Sequence, residues 1–105
     1  MSQRAVFAEV DGTLYPEVLH SMPDYDDCVS MAKEMDAEDS CDVQATWYEI
    51  GPGESDTDEF FPEDDLLKWH EKGDFEKEVE SRGQTVDVVQ SDTTHVMAQD
   101  LMDED

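Results

Sequence analysis

Negative charge is the property that most constrains the fold of this chain. Its 105 residues include 30 acidic and only six basic side chains, which leaves a formal net charge of −24 at pH 7. A small domain needs a net charge of only about 2–8 for solubility, and a larger excess destabilises the compact state through self-repulsion. We therefore expect the acidity to serve a partner or an environment.

The composition nevertheless predicts a folded domain. Hydrophobic residues make up 37% of the sequence, and two Trp, four Phe and three Tyr are available for a core. Disordered chains of high net charge are poor in such aromatic residues. We predict one domain over residues 1–105, with fraying at 103–105 because acids destabilise the C-terminal end of a helix.

The N-terminal sequence predicts a cytoplasmic protein. Residues 1–4 lack the charged and apolar regions of a signal peptide, and no segment has the roughly 18 apolar residues of a membrane span. In a reducing cytosol, Cys28 and Cys41 are expected to be free thiols.

Hydrophobic periodicity and turn residues predict alternating strands and helices. The expected strands are 4–10, 13–15, 43–50 and 84–90, and the expected helical segments are 24–37, 62–72, 74–80 and from Asp92 or Thr93 to Met102. Asp11-Gly12 is typical of a two-residue hairpin turn, and Asp24 is suited to cap the first helix. The expected fold is a small α+β domain, with an antiparallel or mixed sheet of about four strands and two or three helices packed on one face.

The segment Glu9-Val10-Asp11-Gly12-Thr13-Leu14 resembles the first motif of the haloacid-dehalogenase-type phosphatases. In that family an Asp nucleophile follows a strand, a second acid comes two residues later, and Gly-Thr follows. The resemblance implies a nucleophile at Glu9, a second acid at Asp11 and a parallel sheet. Glu9 departs from the family's Asp, and we favour a plain hairpin because Asp-Gly is a strong turn signal.

No other motif in the sequence indicates a reaction. The acid pairs of the chain lack the Gly and Glu positions of a calcium-binding loop, and the three His residues have no Cys-x-x-Cys companion that would indicate zinc. No nucleophile–base set, phosphate loop or dinucleotide fingerprint is present. We predict no catalytic residue, no metal and no cofactor, and a protein that is not an enzyme.

The acidic residues are not balanced by neighbouring bases. Between Lys33 and Lys68 there is no Lys or Arg, and none follows Arg82, whereas a helix that neutralised itself would alternate both signs of charge. The predicted partner-binding surface consists of Asp24, Asp26, Asp27, Asp36, Glu38, Asp39, Asp42, Glu54, Asp56, Asp58, Glu59, Glu63, Asp64 and Asp65. The candidate aromatic anchors near these acids are Tyr25, Trp47, Phe60, Phe61 and Trp69.

Three functional hypotheses follow from this charge distribution. In the first, the chain is an acidic nucleic-acid mimic of the anti-CRISPR or anti-restriction type, encoded by a phage or mobile element, which blocks the basic groove of a host protein. Its partner is then a basic nucleic-acid-binding protein, with no direct contact to nucleic acid or membrane, and the chain is a monomer or homodimer. In the second, the acidity adapts a cytosolic domain to high salt. In the third, the chain is an acidic chaperone or regulator of a basic protein.

Overall fold

The computed structural model describes residues 3–51 and 61–102. Its strands are β1 (Gln3–Val10), β2 (Thr13–Leu14), β3 (Cys41–Gly51) and β4 (Thr85–Val96), and its helices are α1 (Tyr25–Glu34), α2 (Glu63–Lys72), α3 (Phe75–Ser81) and α4 (Ala98–Leu101). The four strands form an antiparallel sheet in the order β2-β1-β3-β4. The predicted α+β class and strand number are confirmed, while the predicted fraying at 103–105 lies outside the described residues.

The helices pack on both faces of the sheet, so the prediction that they cover one face is wrong. Residues 5–8 of β1 are all buried. Because successive side chains of a strand point to opposite faces, both faces of the sheet are covered at this strand. Val6 and Ala8 enter the core beneath α1, whereas Ala5 and Phe7 enter the core beneath α2 and α3. An unbroken apolar run is the pattern of a strand that is buried on both sides.

The two cores are offset along the length of the sheet. The core beneath α1 includes Val10 and Val43, which are partners near the end of β1. The core beneath α2 and α3 includes Ile50, which is the partner of Gln3 at the start of β1. This offset gives an elongated molecule with dimensions of 51 × 22 × 20 Å.

The turn between β1 and β2 is the hairpin predicted from Asp11-Gly12. Both residues have positive φ, 48° at Asp11 and 83° at Gly12, as a type I′ turn requires. Val10 and Thr13 are antiparallel partners on either side of the turn. The segment that resembles a phosphatase motif is therefore a hairpin, and every strand pairing in the described part of the sheet is antiparallel.

Helix α1 starts after Asp24, as predicted, and ends before the predicted residue 37. Asp24 Oδ1 accepts a hydrogen bond of 2.8 Å from the N–H of Asp27, and Asp27 Oδ2 accepts one of 3.2 Å from the N–H of Asp24, which forms a capping box. The helix ends because Asp36 has a left-handed φ of 59°. The N–H of Ala37 then bonds to the carbonyl of Ala32 at 3.0 Å, as in a Schellman motif.

Strand β4 is longer than predicted, and the last helix is correspondingly shorter. β4 continues to Val96, and Asp92 is opposite Ala45 of β3. Asp92 and Thr93 therefore lie in a strand and do not cap a helix, which begins only at Ala98. β-branched residues favour an extended backbone, and pairing with β3 outweighs the capping signal.

Candidate protein-binding surface

Most acidic side chains in the described residues have no cationic partner. Seven of the 30 acids lie in segments 52–60 and 103–105, which leaves 23 in the described ranges. The pairs in contact are Arg82 Nη2 with Glu78 at 3.6 Å, His20 Nε2 with Glu63 at 3.2 Å, and His95 Nδ1 with Asp42 at 2.7 Å. The other 20 described carboxylates have no Lys, Arg or His nitrogen within 4.0 Å. The fold therefore presents its charge to solvent instead of neutralising it.

Seven of the predicted site residues lie at the two ends of α1 and along the segment that leads from α1 into β3. This α1-end group consists of the exposed residues Asp24, Asp26, Asp27, Asp36, Glu38, Asp39 and Asp42. Helix α4 connects the start of α1 to the loop that follows α1. The Tyr25 hydroxyl accepts a hydrogen bond of 3.2 Å from the N–H of Met97, and the Ser40 hydroxyl accepts one of 2.9 Å from the N–H of Ala98.

Asp11, which was not among the predicted site residues, extends the α1-end group. Its N–H donates to the carbonyl of Asp42 at 2.9 Å, and its Oδ1 accepts a hydrogen bond of 3.1 Å from the N–H of Asp42. The hairpin turn therefore adds a further exposed carboxylate, with its orientation fixed by the backbone. The hairpin signal in the sequence could have located Asp11, but its contact with Asp42 depends on the pairing of β1 with β3.

The predicted site residues Glu63, Asp64 and Asp65 form a second group, and Glu63 contacts His20, which lines a pocket together with Asp27. They are exposed in the first turn of α2, where the helix dipole favours negative charge. The side chain of Gln3, at the start of β1, exchanges two hydrogen bonds of 2.9 Å with the backbone of Phe61 and so fixes the approach to α2. Because a strand of eight residues spans roughly 26 Å, the start of α2 and Asp42 lie near opposite ends of β1.

The remaining predicted site residues lie outside the described residues. These are Glu54, Asp56, Asp58 and Glu59, and the candidate anchor Phe60 lies with them. The structure thus locates ten of the predicted acids, which form one large group at the α1 end and a smaller one at the start of α2.

The candidate aromatic anchors differ in their availability. Tyr25 is 40% exposed and lies within the α1-end group, whereas Phe61 is only 6% exposed and packs in the core beneath α2. Trp47 and Trp69 are half-buried. Arg4 lies over the ring of Trp47 at 5.2 Å, and Arg82 lies over that of Trp69 at 4.8 Å. Of these four aromatic residues, Tyr25 alone has the position and exposure of an interface anchor.

A pocket that the sequence did not indicate lies between β3, α2 and α3. This aromatic pocket has a volume of about 620 Å³ and is lined by Tyr48, His70, Phe75, Glu76, Lys77 and Glu80. Phe75 and Val79 are buried four residues apart, so Glu76 and Glu80 share the adjacent flank of α3. That spacing was visible in the sequence, but the contribution of β3 and α2 to the pocket was not.

The titratable rings of the aromatic pocket are neutral at pH 7. Burial lowers the pKa of His70 below its ordinary value of 6.5, and the nearby Glu9 opposes this shift only in part. Burial raises the pKa of Tyr48 above 10.0, and the charges of Glu76 and Glu9 raise it further. The pocket therefore combines neutral aromatic rings with carboxylates at its rim.

The described residues indicate neither a reactive thiol nor a metal site. Cys28 and Cys41 are free, as predicted, and burial raises the pKa of both thiols, which disfavours the reactive thiolate. Within 3–51 and 61–102, no group of three or more His, Cys, Asp or Glu residues is placed to hold a metal ion. No helix in these ranges is long and apolar enough to cross a membrane.

No protein-family model, curated protein or solved structure matches this chain.

Proposed function

We propose that this chain is an acidic nucleic-acid mimic, which occupies the basic nucleic-acid-binding groove of a host protein and inhibits that protein by steric competition. In this proposal the chain acts in the cytoplasm without catalysis, as a phage or mobile-element protein of the anti-CRISPR or anti-restriction type. The observation that carries the proposal is that 20 of the 23 described carboxylates have no cationic partner within the fold.

The charge density of the molecule supports this proposal. The 23 acids and six bases of the described residues leave 17 net negative charges along a dimension of 51 Å, about one per 3 Å. Duplex DNA carries one charge per roughly 1.7 Å of its axis. The described part of the chain therefore has more than half the linear charge density of a duplex.

The positions of several carboxylates are fixed by the backbone, as phosphate positions are fixed in a duplex. Asp24 and Asp27 hold each other's backbone N–H groups in the capping box, and Asp11 accepts a hydrogen bond from the N–H of Asp42. Holding flexible side chains in one geometry costs conformational entropy. Carboxylates that are already oriented lose less of it on binding, which favours the α1-end group as the main contact surface.

The test is displacement of a fluorescent duplex from purified basic proteins: a histone-like protein, a restriction endonuclease and a CRISPR effector. We expect the chain to displace the duplex from at least one of them, with a half-inhibitory concentration that rises steeply with KCl, because counterions are released on binding. Displacement without that salt dependence would contradict an electrostatic mimic.

Three variants that each lose three negative charges locate the contact surface. The α1-end variant carries Asp26→Asn, Glu38→Gln and Asp39→Asn, the α2-start variant carries Glu63→Gln, Asp64→Asn and Asp65→Asn, and the control carries Glu17→Gln, Asp87→Asn and Asp92→Asn. We expect the α1-end variant to lose the most inhibition and the control the least. Equal losses in all three would show that only net charge matters.

Two other outcomes would reject the mimic. If the chain binds a basic protein but leaves its duplex in place, it is an acidic chaperone or regulator. If the chain folds only at molar KCl, its acidity is an adaptation to salt and indicates no partner.

A further inference from the structure

Three aromatic rings form the inner wall of the aromatic pocket. The ring centroids of Tyr48 and Phe75 are 5.0 Å apart, with the planes inclined by 67°. His70 lies 6.2 Å from each of these rings, at 65° to Tyr48 and 56° to Phe75. Phe75 is only 3% exposed, whereas Tyr48 and His70 are half-buried and supply the accessible ring surface. The negative face of an aromatic ring attracts a cation within about 6 Å of its centroid.

Carboxylates surround these rings on several sides. Glu76 and Glu80 lie one helical turn apart on α3 and line the pocket, and neither is paired with a cation in the described residues. His70 also lines a second pocket of about 230 Å³, to which Glu9 and Glu71 contribute. Lys77 is the one Lys or Arg residue that lines either pocket, so acids exceed bases around the rings.

The two arginines of the chain show that a guanidinium group packs against aromatic rings in this fold. Arg4 and Arg82 already cover the rings of Trp47 and Trp69. By contrast, no Arg or Lys of the described residues lies over Tyr48, Phe75 or the His70 ring. The half-buried rings of Tyr48 and His70 are therefore available to a cation supplied from outside the chain, while the buried ring of Phe75 packs beneath them.

We infer that the aromatic pocket binds an arginine side chain of the basic partner, so that it acts as a specific anchor within a largely electrostatic interface. A guanidinium group is planar, stacks on aromatic faces and binds carboxylates through two parallel hydrogen bonds, which matches rings next to Glu76 and Glu80. The source of the arginine rests on the proposed function, but the pocket itself can be tested without the partner.

The probe is acetyl-arginine-amide, titrated into the full chain at pH 7 and followed by the NMR signals of the aromatic rings. We expect saturable shifts at Tyr48, His70 and Phe75. Acetyl-citrulline-amide has nearly the same shape without the charge, and acetyl-lysine-amide with a free side-chain amine has the charge without the planar group. Both should produce smaller shifts.

Two double variants of equal charge show whether binding occurs in the pocket. Glu76→Gln with Glu80→Gln should weaken the binding of acetyl-arginine-amide about fivefold. Glu17→Gln with Asp92→Asn removes the same charge outside both proposed binding surfaces and should change binding less than twofold. Circular dichroism of both variants checks that they keep the fold, so that a loss of binding is not mistaken for unfolding.

The outcomes separate this inference from the proposed function. Equal binding of the citrulline or lysine probe, equal loss in the two double variants, or no shift at the pocket rings would each overturn the arginine pocket. If the chain still displaces a duplex in that case, the mimic stands without this anchor. If acetyl-arginine-amide binds as expected but no duplex is displaced, the pocket stands and the mimic fails.

Discussion

His70 of α2 stacks on Phe7 of β1, with ring centroids 4.1 Å apart and planes inclined by 24°. This contact packs α2 against β1 beside the aromatic pocket, which His70 lines. Phe7 is also packed edge-on against Phe75 at 5.0 Å. A charge on the imidazole would be poorly solvated beside these rings, which is why burial lowers the pKa of His70.

The first prediction concerns acid sensitivity. Because the folded-state pKa of His70 lies below its unfolded value of 6.5, the contribution of neutral His70 to stability is present above that pH. It is lost as the pH falls through the folded-state pKa. Urea unfolding of the wild type and His70→Phe between about pH 7 and pH 5 should show the wild type losing stability relative to the variant. A constant difference over this range would contradict the prediction.

The second prediction concerns the alkaline side. The Tyr15 hydroxyl donates a hydrogen bond to the Glu34 carboxylate, which raises the pKa of Tyr15 to about 12. The resulting stability is fully present below the ordinary value of 10.0 and is lost as the pH rises toward 12. At pH 7, Tyr15→Phe should cost about 1 kcal/mol in the free energy of unfolding, and the gap to the wild type should close above pH 10. A gap that persists would show that the hydrogen bond does not control the titration.

The third prediction concerns the capping box of α1. Asp24→Ala should lower the free energy of unfolding by about 1 kcal/mol, whereas Asp24→Ser retains a cap and should lose less. Asp26→Ala removes the same charge from the first turn without removing a cap. If Asp24→Ala and Asp26→Ala cost equally, the effect comes from charge alone and the cap contributes nothing.

Local signals predicted much of the fold because they depend on neighbouring residues. Asp11-Gly12 requires positive φ, and Asp24 is followed by an acid at the third helical position, so the hairpin and the start of α1 could be recognised from the sequence. The boundary at Asp92 and Thr93 could not, because pairing with β3 decides it. The unbroken apolar run at 5–8 indicates burial on both faces of the sheet, and this signal argues against the predicted packing of all helices on one face.

The candidate site was predictable as a set of residues but not as an arrangement. Asp24 and Asp42 lie 18 positions apart in the sequence, and it is α4, through Met97 and Ala98, that joins their surroundings. The aromatic pocket likewise combines Tyr48 and His70 from different elements. Such tertiary juxtapositions leave no periodic signal in the sequence.

The last prediction tests whether repulsion among the unpaired carboxylates lowers the stability of the fold. Self-repulsion among carboxylates weakens when salt shortens the Debye length from about 10 Å at 0.1 M to about 3 Å at 1 M. We expect a cooperative melt at about 0.1 M KCl and a midpoint that rises with added KCl. The variant with Glu17→Gln, Asp87→Asn and Asp92→Asn should start from a higher midpoint and gain less from salt. A wild-type midpoint that is insensitive to KCl would mean that the acids are too far apart to repel one another. The negative charge density would then be too low to support the proposed imitation of a duplex.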